Sequence, residues 1–189
     1  METENASSQL WFALRVRSNC EKRVAAAVHQ KGYEEFLPLY QCRQRWSDRF
    51  KSVELPLFPG YVFCRIDARC RLPILTIPGA LHFVGIGKVP AVIEDREIAA
   101  IRNVVRSGLQ AAPWAYLNVG KVVHFDSGPL AGLEGILIES SKPCRVVVSV
   151  KLLKRSVAVE IEHDWIASRA AEIRSSAVNI PIRAREQSL

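Results

Sequence analysis

Between positions 43 and 51 the chain gathers Arg43, Arg45, Arg49 and Lys51 around Trp46 and Phe50, with Asp48 as the one opposing charge. Guanidinium groups fork onto phosphate oxygens and an indole offers a stacking face, so this mixture suits contact with nucleic acid. It suits a solvated basic turn equally well, and the residues alone leave both readings open. A second basic group, Lys151, Lys154 and Arg155, shares one short loop and favours an anionic partner.

Catalytic chemistry is not expected. The chain has no G-x-S-x-G elbow, no H-E-x-x-H and no framed carboxylate pair. Gly85-Ile86-Gly87-Lys88 has the flavour of a phosphate loop but not its full pattern. The cysteines Cys20, Cys42, Cys64, Cys70 and Cys144 are odd in number and irregularly spaced, without a C-x-x-C pair. Neither a disulfide framework nor a metal site is expected from them, and no cofactor is implied.

The elements that must position the basic clusters can be read from periodicity. Leu10 to Val16 is an apolar, strand-length run. Ser18 and Glu21 have the spacing of a capping box, and a helix with Val24, Ala27 and Val28 on one face follows to Gly32. Glu35–Tyr40 and Val53–Phe58 are read as the arms of a long hairpin whose exposed tip carries the first basic cluster. Gly60–Ile66 is another strand, Ile77-Pro78-Gly79 a turn, and Leu81–Ile86 a further strand. A second helix is expected over Glu94–Leu109, with Ile98, Ile101, Val104 and Val105 on its apolar side. Ala111-Ala112-Pro113 then breaks the helix, and only short strands follow: Lys121–Phe125, Leu133–Glu139, Arg145–Val150 and Ser156–Ile161. That spacing is typical of a small barrel.

The fold expected is therefore α+β: an antiparallel sheet flanked by helices over 9–109, a linker over 110–117, a small all-β barrel over 118–168, and a tail from 169 to 189 that is loosely helical or without order. The formal charge of +7 is concentrated in residues 9–108, while 118–168 is balanced, so the acidic partner is expected at the first domain. No apolar run reaches membrane-spanning length and the start is polar, so neither a membrane nor an export signal is expected, and the cytoplasm is.

Leu57-Phe58-Pro59-Gly60-Tyr61-Val62-Phe63 resembles the most recognisable stretch of the NusG/RfaH family. Trp11-Phe12-Ala13-Leu14 resembles its opening strand, and Pro78 to Gly85 its later Pro…Phe-Val-Gly strand. Val119 to Val123 followed by Gly128 to Gly135 is similar to the KOW motif. The likeness runs in order over about residues 10–168. It implies an N-terminal NGN domain, an SH3-like KOW barrel, and a monomeric bacterial factor that travels with RNA polymerase on the nucleoid. Such a factor binds the polymerase clamp helices through an apolar aromatic surface and suppresses pausing and termination. Matching positions are Phe58, Pro59, Tyr61, Phe63 and Phe83, with Tyr61 and Phe63 on one face of their strand. In the family the hairpin lies near upstream or non-template DNA, which here falls to Arg43, Arg45, Trp46, Arg49 and Lys51; nascent RNA is a further candidate partner.

Three departures bear on function. The KOW turn that meets a ribosomal protein or Rho reads Ile-Phe-Gly-Arg in general members of the family, and here it is Leu152-Leu153-Lys154-Arg155. Cys70-Arg71-Leu72 stands where the RfaH branch has a His-Thr-Thr gate-loop contact, and Glu94 stands at a helix start where Ser is common. The first departure predicts a specialised paralogue, not the housekeeping factor that couples polymerase to Rho or the ribosome. A ribosome-associated KOW protein ranks lower still, because it leaves the first domain unexplained.

Overall fold

The computed structural model describes residues 9–46, 49–87, 89–115, 121–139 and 144–165. The expected tail lies outside the described residues. Elements run β1 (Leu10–Val16), α1 (Glu21–Gln30), β2 (Glu34–Phe36), β3 (Leu39–Trp46), β4 (Arg49–Pro56), β5 (Tyr61–Ile66), α2 (Leu72–Leu75), β6 (Ala80–Phe83), β7 (Gly85–Ile86), β8 (Val89–Pro90), β9 (Val92–Ile93) and α3 (Asp95–Arg106). They continue with β10 (Ala111–Ala115), β11 (Lys121–His124), β12 (Glu134–Glu139), β13 (Cys144–Val150) and β14 (Arg155–Ile161). Among the described residues no helix is long and apolar enough to cross a membrane.

The apolar run of β1 makes sense at the centre of the first sheet. It pairs antiparallel with β5 on one edge, while β6 and β9 share the other, and β2 extends the sheet beyond β5. Both faces are covered, so Trp11, Phe12, Ala13, Leu14 and Val16 are all buried. Phe12, Leu14, Val62, Cys64 and Ile66 meet Val24, Ala25 and Val28 of α1. Trp11, Ala13 and Phe63 meet Ile98, Ile101 and Val104 of α3 on the opposite side. Burial on two sides pushes the Cys64 thiol up to about 12, which removes it as a nucleophile.

Three readings of the sequence need correction here. The hairpin arms are longer than expected and shifted towards the tip: β3 begins at Leu39, after the expected Glu35, and β4 at Arg49, before the expected Val53. The two pair from Leu39↔Pro56 out to Trp46↔Arg49, while Pro38, lacking an N–H, separates β2 from β3. The capping box does not form. Cys20, not Ser18, is the residue before α1, no side chain caps it, and Asn19 turns the chain at φ 62. Val105 is 37 % exposed, one position off the buried stripe of α3.

The linker reading over 110–117 is also overturned in part. Ala111–Ala115 pairs with Val159–Arg155, making β10 the edge of a second antiparallel sheet ordered β10-β14-β13-β12-β11. Pro113 suggested a break, but an edge strand has one side without a ladder, where a missing N–H costs nothing. Residues 116 and 117 lie outside the described residues. Val123, Phe125, Leu130, Val146, Val148, Val157 and Val159 fill the interior of this strand-rich unit, consistent with a KOW barrel. Gly135 is required by contact: a Cβ there would sit 2.2 Å from Val146 Cγ1.

Electrostatics tie α3 to the sheet edge. Arg102 donates to Glu34 at 2.8 Å, Arg65 donates to the same carboxylate at 3.4 Å, and the Arg102 guanidinium covers the rings of Trp11 and Phe36. The hydrogen bond from Arg102, more than any other cause, holds the Glu34 carboxyl below its ordinary value. The pair therefore contributes fully at neutral pH and fades as pH falls through that lowered value, with a size of at most about 1 kcal/mol at this exposure.

Candidate functional site: an apolar cleft between hairpin and helix

Strand alternation places Tyr61 and Phe63 on one face of β5, opposite Arg15 and Ala13 of β1. Phe63 and Phe58 are almost fully buried, with rings perpendicular at 5.4 Å, and Phe36 stacks on Phe63 at 6.1 Å. Phe83 is not part of this group. It pairs with Leu14, faces the α1 side of the sheet, and meets the Phe12 ring edge-on at 6.2 Å. Of the five aromatic-surface residues read from the sequence, Phe58, Phe63 and Phe83 are core. α3 covers the first two and α1 lies over the third. Pro59 is exposed and Tyr61 half-buried, so these two remain reachable.

A cleft that the sequence did not show has Leu57, two residues before Pro59, in its wall. It has a volume of about 680 Å³ and runs between the base of the β3–β4 hairpin, the end of α3 and β10. Its apolar walls are Leu39, Tyr40, Leu57, Val104, Val105 and Leu109. Burial raises the Tyr40 phenol above its ordinary value, so it stays a neutral hydrogen-bonding tip on an apolar body. The one signal in the sequence was the Val104-Val105 doublet, which widens the apolar stripe of α3 beyond what the sheet beneath it uses.

The basic hairpin is present as a ribbon. Its register places positions 43, 45 and 50 on one face and 46, 49 and 51 on the other, which divides the cluster between two sides. Lys51 is exposed; the side chains of Arg43, Arg45, Trp46 and Arg49 lie outside what the structure describes. The base of the ribbon is held by Gln41 donating to Glu54 at 3.1 Å, Ser52 donating to Gln41 at 2.8 Å, and a Lys22–Glu54 ion pair at 3.2 Å.

The Leu152-Leu153-Lys154-Arg155 turn is not a free plug. Leu153 is buried in the core and Leu152 half-buried, because Lys154 adopts a left-handed conformation (φ 47) that folds the loop back. Lys151 N–H donates to the Glu97 carboxylate at 3.4 Å, and the Arg155 guanidinium lies 5.8 Å from the Tyr61 ring centre. Burial holds the Glu97 carboxyl above its ordinary value despite that N–H. The loop thus rests on α3 and on Tyr61 of β5, with Lys151 and Lys154 still exposed. Among the described residues no group of His, Cys, Asp and Glu could hold a metal ion.

Comparison with known proteins gives these features a family. Residues 9–102 match the model for NusG, described as transcription termination factor NusG. The transcription termination/antitermination protein NusG of Vibrio vulnificus is 28 % identical over 172 residues, covering 83 % of this chain and 94 % of that one. The Escherichia coli protein of the same name is 27 % identical over 176 residues, covering 85 % and 97 %. A solved structure of Thermotoga maritima NusG, titled for its domain interaction, superposes with a TM-score of 0.53 at 20 % identity and covers 86 % of this chain and 98 % of that one. An antiparallel sheet between helices, a strand-rich second unit and a sequence match over the first of them agree: this chain belongs to the NusG family.

Proposed function

We propose that this protein is a transcription factor of the NusG type that binds the clamp helices of RNA polymerase through the cleft and suppresses pausing and termination. The observation that carries the reading is the cleft itself, an apolar hollow bordered by Tyr40, Leu57, Val104, Val105 and Leu109 on a domain matched to NusG. Of these, Tyr40, Val105 and Leu109 are partly exposed, and apolar side chains exposed around one hollow favour a protein partner over solvent; a helix tip with apolar residues fits such a hollow. Pro59 and Tyr61 extend the contact. The protein has no catalytic step in this reading.

We further propose a specialised paralogue. A buried Leu153 and a charged Lys154 leave no aromatic plug for Rho or a ribosomal protein. In reconstituted transcription with purified polymerase, the protein should shorten pauses, raise read-through at terminators and leave Rho-dependent termination unstimulated. Stimulation of Rho would overturn the paralogue reading, and failure to bind core polymerase would overturn the whole proposal.

The hairpin is assigned to upstream or non-template DNA. Reversing Arg43, Arg45 and Arg49 to Glu should weaken engagement of the elongation complex and flatten its salt dependence. Each lost phosphate contact removes roughly 0.9 from the log–log slope. An unchanged slope would return the cluster to the role of a solvated turn.

A further inference from the structure

We infer that Glu21 and Arg15 are positioning residues for the docking surface, gripping the Gly60 peptide from its two sides and so fixing the turn that presents Pro59 and Tyr61. The inference rests on the docking reading above. Glu21 and Ser156 are the buried polar side chains among the described residues, and Glu21 is 6 % exposed. A carboxylate is held at such depth only with a hydrogen-bond donor. Its donor comes from far along the chain: Gly60 N–H reaches Glu21 Oε1 at 2.8 Å. On the other side of the turn, Gly60 C=O accepts from Val16 N–H at 2.9 Å and from Arg15 Nη1 at 3.5 Å.

Arg15 does a second thing. Its guanidinium lies 4.7 Å from the Tyr61 ring centre, so one side chain braces both the glycine and the tyrosine beside it. Gly60 has φ +82, and a Cβ there would sit 2.5 Å from Arg15 Nη1, so glycine is what allows the guanidinium to close on the turn. Tyr61 N–H to Phe58 C=O at 3.1 Å completes the reversal. Phe58 and Phe63 are anchored by core packing on either side, but Pro59 is exposed and Tyr61 half-buried. Their placement depends on the glycine between them. With Glu21 gone, Gly60 N–H is left without its acceptor, and the turn must open to find water.

Glu21 also begins α1, where any acid complements the helix dipole. The isosteric Glu21→Gln variant separates the two roles, because it keeps an acceptor oxygen and loses the charge. The test uses the full chain and two readouts, amide hydrogen exchange at Gly60 in the free protein and affinity for core RNA polymerase. Glu21→Ala should speed Gly60 exchange and weaken polymerase binding, each by roughly tenfold, while amides at the centre of β5 keep their protection. Glu21→Gln should stay near the parent in both. Arg15→Ala, at a less buried position, should weaken binding in the same direction and covers the case in which Glu21→Ala does not fold. Unchanged Gly60 exchange in Glu21→Ala would remove the grip. Faster exchange with parental affinity would show that the turn does not need it for docking, and equal loss in Gln and Ala would assign Glu21 to the helix instead. If the parent itself fails to bind polymerase, the docking reading falls, and the exchange data still judge the grip on its own.

Discussion

Replacing Phe58 with alanine should lower the free energy of unfolding by about 3–5 kcal/mol, the usual cost of emptying a buried aromatic site. The ring is 1 % exposed and packs edge-on against Phe63, which adds a specific contact to the burial. Against a typical domain stability of about 5–15 kcal/mol, the loss takes a large share of the total. Urea unfolding followed by circular dichroism should show the midpoint fall, and any loss of polymerase binding should follow the unfolded fraction. A folded Phe58→Ala protein with parental stability and no affinity for polymerase would reverse the assignment and make the ring a contact residue.

The second large effect is expected at Val105, for the opposite reason. Its side chain is 37 % exposed in the last turn of α3, so glutamate there should change stability by no more than about 0.5 kcal/mol, its better helix propensity offset by an acid placed at the negative end of the helix dipole. The same change sets a carboxylate in the wall of the apolar cleft. Covering it with an apolar partner strips its water without supplying a donor, at a cost of about 3 kcal/mol, roughly a hundredfold in affinity. Val105→Glu should therefore melt like the parent and fail to retain core polymerase in a pull-down. Normal retention would eliminate the cleft as the docking site. Together the two variants separate the side chains that build the site from those that touch the partner.

How much of this was legible in the sequence varied with how local the cause was. β1, β5 and four strands of the second sheet were readable because alternation and apolar runs are properties of neighbouring residues. The β10 strand was not, since Pro113 is compatible with a strand only at an edge, and edges are decided by distant pairing. Glu21 had the right spacing for a cap, yet its partner was a glycine 39 residues away. The five aromatic-surface positions belong to a recognisable stretch of the family, but a motif does not say which of its rings point inward. That follows from α3 arriving over Phe58 and Phe63 while Phe83 lies on the α1 side. The cleft, made by three elements meeting, had no signature of its own beyond the valine doublet.

The pairing of β10 also sets a leash length. α3 ends at Arg106, and Gln110 C=O already accepts from Glu160 N–H of β14 at 3.1 Å. Ser107, Gly108 and Leu109 are what lies between, and Ser107 Oγ binds back to Val104 C=O and receives Leu109 N–H. Three residues span about 10 Å at full stretch. Whatever grips the barrel is thereby brought within a few side-chain lengths of whatever the cleft holds, at a local concentration in the millimolar range. Two weak partners in that geometry reinforce each other only if they already lie side by side, so the leash selects for neighbours on one assembly and against partners far apart on it.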